Sequence, residues 1–101
     1  MASIERGKLI GYQDVTDHLE LYGKATADVR VHAGGILDLY GQVMGELVIK
    51  EGGAARVYGQ VCRDIRNEGG NVEISGMVLG SVIRIAGTTK ILPGASIDSE
   101  L

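Results

Sequence analysis

Apolar and polar positions alternate along most of the chain. Between residues 37 and 53, Leu37, Leu39, Val43, Leu47 and Ile49 are all odd-numbered, and the polar residues Asp38, Gln42, Glu46 and Lys50 lie between them. Alternation of this kind sends successive side chains to opposite faces of a strand, so the odd positions face a core. Gly41 and Gly45 share the inward parity. A residue without Cβ permits a tight bend there, which divides the stretch into short strands.

The same unit recurs. Leu21-Tyr22-Gly23, Leu39-Tyr40-Gly41, Val57-Tyr58-Gly59 and Ile74-Ser75-Gly76 are equivalent, and Gly-Gly pairs recur at 34–35, 52–53 and 69–70. A fixed step in this range marks a repeat architecture. One unit cannot bury its own apolar side. Stacked units can, because equivalent strands pair about 4.8 Å apart into parallel sheets. The expected fold class is all-β: a single-domain parallel β-helix (β-solenoid) of about five coils of 17–18 residues. Three columns are predicted to point inward: Leu21, Leu39, Val57 and Ile74; Ala25, Val43, Val61 and Val78; Val29, Leu47, Ile65 and Val82. A narrow interior also accounts for a chain with neither Trp nor Phe.

Residues 1–18 fit the repeat less cleanly. They read as an N-terminal cap or degenerate first coil, or as a partly ordered leader, ahead of a β-solenoid domain over 19–101. In coil three, Arg63 stands where Gly45 and Gly80 stand in their coils, and one residue is missing between Ile65 and Gly69. A bulge or widened corner is expected there. After Val82 the chain continues into a partial coil, with Thr89, Ile91 and Ala95 inward and Pro93 in place of the column glycine.

Composition narrows the function classes. Ten basic residues stand against thirteen acidic ones, for a net charge of −3 without a basic block, which argues against nucleic acid or an anionic membrane as partner. No apolar run reaches the length of a signal peptide core or a membrane span, and the expectation is a soluble cytoplasmic protein. The one cysteine, Cys62, has no intrachain partner, as suits a reducing compartment.

No catalytic constellation stands out. His18 and His32 share no metal-ligand spacing with Cys62, and His18 reads as a plain surface residue. Gly34-Gly35-Ile36-Leu37-Asp38 lacks the third glycine of a calcium-binding nonapeptide coil. There is neither a P-loop nor a dinucleotide fingerprint. The expectation is a protein that is not an enzyme and uses no metal or cofactor.

Function then falls to the outward columns. Tyr22, Tyr40 and Tyr58 form an aromatic ladder, followed by Ser75. Thr26, Met44, Cys62 and Leu79 form a second column that is outward by parity. Together they make an apolar strip suited to a partner, unless corner geometry turns Met44 and Leu79 inward and the tyrosines only pack on one another. Asp28, Glu46, Asp64 and Ser81 form an acidic column. Like charges one coil apart repel, and Arg30 and Arg66, two residues on, are placed to compensate. Such a stripe reads as a solvated face or as a contact for a basic partner.

The units Tyr40-Gly41-Gln42-Val43-Met44-Gly45-Glu46-Leu47 and Ser75-Gly76-Met77-Val78-Leu79-Gly80-Ser81-Val82, with the ending Ile91-Leu92-Pro93-Gly94-Ala95-Ser96-Ile97, resemble the bactofilin family of polymer-forming bacterial cytoskeletal proteins. The resemblance runs from about Leu19 to Asp98. It implies a right-handed β-helix of three parallel sheets and nucleotide-independent self-assembly. The partner is then a second copy of the chain, met through stackable terminal coils. Ile91, Leu92 and Ile97 are the candidate end-stacking residues. The alternative is a small cytoplasmic protein-binding module, such as a toxin-neutralising immunity protein. Its contact surface would be Tyr22, Tyr40 and Tyr58 with Met44 and Leu79, or the column Asp28, Glu46 and Asp64.

Overall fold

The computed structural model describes residues 3–100. The chain winds as a β-solenoid whose strands follow in order, coil by coil. The first coil holds β1 (Ser3–Glu5), β2 (Lys8–Leu9) and β3 (Gln13–Val15). The second holds β4 (His18–Leu21), β5 (Lys24–Ala25) and β6 (Val29–Val31), and the third β7 (Ile36–Leu39), β8 (Gln42–Val43) and β9 (Leu47–Ile49). Next come β10 (Ala54–Val57) and β11 (Gln60–Val61). In β12 (Ile65–Ile74), β13 (Met77–Ile91) and β14 (Ser96–Glu100) the strand pairing runs on through the corners.

All pairing is parallel and joins each strand to its equivalents one coil away. It generates three faces. One carries β1, β4, β7, β10, the end of β12 and the end of β13. A second carries β2, β5, β8, β11 and the starts of β13 and β14. The third carries β3, β6, β9, the start of β12, the middle of β13 and the end of β14. Residues 3–15 therefore pair as a coil, with Ser3 opposite Leu19, Lys8 opposite Lys24 and Gln13 opposite Val29.

The core lies along the axis. Every member of the three inward columns is buried, and Val15, Val31, Leu37, Ile49, Ala55 and Val72 are buried with them. Removing one of these side chains, Leu39→Ala for example, costs about 2–5 kcal/mol by the usual transfer and cavity terms. Among outward apolar residues Val48 is also buried, at 8% exposure, flanked in its column by Arg30 and Arg66. Long arginine stems cover apolar surface in this way.

Corners repeat a single device. At His32–Gly35 and Lys50–Gly53 the last N–H donates to the first carbonyl, at 2.9 and 3.0 Å, with Gly34 and Gly52 at φ 82 and 83°. These are turns whose third residue needs positive φ, hence glycine. Leu92-Pro93-Gly94-Ala95 makes the same kind of turn, with the Ala95 N–H donating to Leu92 O at 3.2 Å. Pro93 is thus part of an inserted turn and does not stand in for the column glycine. Because of that insertion Ile97, not Ala95, pairs opposite Val78 and continues its column, while Ala95 packs beside it.

The expected irregularity of coil three is displaced from Arg63. Arg63 is simply exposed at its corner, and the register shifts at Asn67, Glu68 and Asn71. Asn67 occupies the inward position of Ile49 and is fully buried. Its side-chain oxygen accepts the N–H groups of Gly69 and Gly70 at 3.1 and 2.8 Å, and its amide donates to Gly70 O, Thr88 O and Thr89 Oγ1. The residue missing from this coil leaves backbone groups that the apolar column cannot satisfy, and one carboxamide satisfies them.

Candidate interaction faces and coil ends

Tyr22, Tyr40 and Tyr58 stand one per coil just before the glycines of the first corner. Their rings stack with centroids 4.6 and 5.0 Å apart and planes within 7 and 11°. Coil spacing imposes this separation. The rings remain about half exposed, and the Arg6 guanidinium carbon lies 5.5 Å from the centroid of Tyr22, over its outer face. The Tyr22 hydroxyl donates to Glu20 at 3.3 Å. Burial, and then the neighbouring Tyr22, Asp38, Tyr58 and Glu20, hold the Tyr40 phenol above its ordinary pKa.

Met44 and Leu79 are exposed, at 40 and 48%, and Met77 at 43%. The corner does not turn them inward. They lie with the tyrosines along one side of the solenoid, and between them Cys62 is half-buried, taking the amides of Gln42 and Gln60 on its sulfur at 3.1 and 3.7 Å.

The acidic column divides by role. Asp28 Oδ1 accepts the backbone N–H of Glu46, and Asp64 Oδ1 accepts that of Ser81, both at 2.8 Å. Each carboxylate reaches along the axis into space left by a glycine: a Cβ on Gly45 would collide with Asp28 Oδ1, and one on Gly80 with Asp64 Oδ1. Asp28 and Asp64 thus act as corner caps. Arg63 follows Glu46 in the remaining step. The arginines expected to neutralise this column pair elsewhere: Arg30 with Asp14 at 3.8 Å and Arg66 with Glu68 at 3.4 Å, joined by Lys50 with Glu68 at 2.9 Å. His32 donates to Asp14 at 2.9 Å, which holds that carboxyl below the usual range.

One cluster escaped the sequence reading. Glu20, Asp38, Arg56, Glu73 and Lys90 are aligned in one column of alternating charge from Asp38 onward. Asp38 is only 4% exposed. It receives His18 Nε2 at 2.6 Å from one side and Arg56 at 2.6 and 3.1 Å from the other. His18 is therefore half-buried and bonded. Opposite charges one repeat apart, Asp38 and Arg56, were the available signal. His18, Glu20 and Asp38 each bring a donor atom within 4.8 Å of the others. A metal ion there would face the Arg56 guanidinium across the same carboxylate, so the cluster works as an ion network.

The two ends differ. At the N-terminal end Glu5 sits in the column of Leu21, and Gln13 in that of Val29, with Leu9 and Val15 beside them. At the C-terminal end Ile91, Ala95 and Ile97 are half-buried against the core and Leu92 is partly exposed. Among the described residues the strands of the first coil pair only with the second, and β14 and the end of β13 pair only with the coil before them.

Among the described residues no helix is long and apolar enough to cross a membrane. Compared with known proteins, the chain matches no family model, no curated protein and no solved structure.

Proposed function

We propose that this protein is a non-enzymatic, bactofilin-like structural module that self-associates end to end through its C-terminal coil. The observation that carries the reading is the contrast between the ends. A strand edge with free N–H and C=O groups is a template for another chain, and natural edges are blunted by charges pointing inward. Glu5, in the register of Leu21 and with its carboxylate accepting the Gly7 N–H at 3.0 Å, brings a charge to one end. At the other, Ile91, Ala95 and Ile97 present apolar side chains beside an open edge. Two C-terminal coils meeting bury this surface and give a closed pair, while Glu5 and Gln13 oppose further stacking.

Light scattering on a sizing column tests the proposal. The expected result is a dimer that persists across salt and concentration, unchanged by the double substitution Y40S/Y58S. A monomer at all concentrations overturns it, and so does a dimer that Y40S/Y58S dissolves.

A further inference from the structure

The tyrosine column stops one position short. Val57 pairs with Ile74 and Ile74 with Ile91, so Tyr58 is followed in its column by Ser75 and then by Leu92. Ser75 brings no ring, and its hydroxyl folds back to donate to Val57 O at 3.3 Å. An open groove of about 470 Å³ lies here, with Gly59 and Gly76 along its floor and Tyr58, Gln60, Met77 and Ser96 among its walls. Its volume falls in the range of small-molecule sites.

Tyr58 and Leu92 are two coil steps apart, about 9.6 Å. The step after Tyr58 holds only Ser75, so the outer face of that ring is open to one planar group stacked on it at van der Waals distance. A tyrosine ring face carries negative quadrupole charge and attracts cations. The far end of the same ladder shows this contact satisfied, where Arg6 covers Tyr22. None of the residues lining the groove is charged, and the chain as a whole carries −3. We infer that the position left open by Ser75 is a binding site for one small planar heteroaromatic cation, stacked on Tyr58 as Arg6 is on Tyr22.

The inference does not rest on self-association, and it is read by a different measurement. Thioflavin T, a planar benzothiazolium cation, is titrated into protein taken from the sizing-column peak, and its fluorescence is followed. The expected result is a saturable rise at one dye per chain. S75Y fills the site with a fourth ring and weakens binding about tenfold, as loss of a cation–ring contact should, while its melting temperature stays at or above that of the parent. Y58S removes the stacking face and weakens binding to a similar extent. A dye that merely lines the exposed ladder would bind S75Y as well or better, because that variant lengthens the ladder. That result overturns the site, as does undiminished binding to Y58S or no saturable binding to the parent protein.

Discussion

Arg56 donates to both carboxylate oxygens of Asp38, at 2.6 and 3.1 Å, from the next coil along the axis. The pair is unequal: the Asp38 side chain is 6% exposed and that of Arg56 45%. The Asp38 hydrogen bond and charge raise the Arg56 pKa further. Removing one partner of a buried pair hurts through the charge left behind. Arg56→Ala strands a buried carboxylate with His18 alone, and a loss of about 2–3 kcal/mol is expected. Asp38→Asn leaves an arginine that water can reach, and about 1 kcal/mol is expected. Urea denaturation of the two variants checks the order, and a larger loss in Asp38→Asn contradicts it.

Members of the acidic column should respond differently to the same substitution. Asp28→Ala and Asp64→Ala each remove a cap on the next coil and should cost about 1 kcal/mol. Glu46→Ala removes no such bond and should stay within about 0.5 kcal/mol of the parent. Equal losses at the three positions would show that the column acts through its charge instead.

The tyrosine ladder should weaken in alkali. The Tyr40 pKa is raised in the folded protein, so its contribution to stability is complete below the ordinary tyrosine value, about 10. It is lost as pH rises through the higher folded value. Absorbance at 295 nm should show a late ionisation step in the folded protein that Tyr40→Phe removes. A last step that survives in Tyr40→Phe rejects the assignment.

The solenoid was legible because period-two alternation and a fixed step reinforce each other. A one-residue slip would expose Leu39, Val43 and Leu47 together, so their parity fixed the register. Asn67 was not legible, because the residue absent from its coil marks an irregularity without saying which side chain will satisfy the freed backbone. Asp38 lies at outward parity beside Leu37 and Leu39, and only its alignment with Arg56 and His18 explains its burial. The acidic column was visible as charge, but its capping role depends on a glycine one coil away. The ladder of Tyr22, Tyr40 and Tyr58 was legible as a column. The groove beside it came from Ser75 turning back on Val57, which no spacing reports.

Self-association through the C-terminal coil is tested most directly by placing one charge at each end in turn and measuring mass by light scattering. Ile97→Asp charges the C-terminal coil and should give a folded monomer. Leu9→Asp charges the opposite end and should remain a dimer. An Ile97→Asp protein that stays dimeric, or a Leu9→Asp protein that is folded and monomeric, would contradict the account.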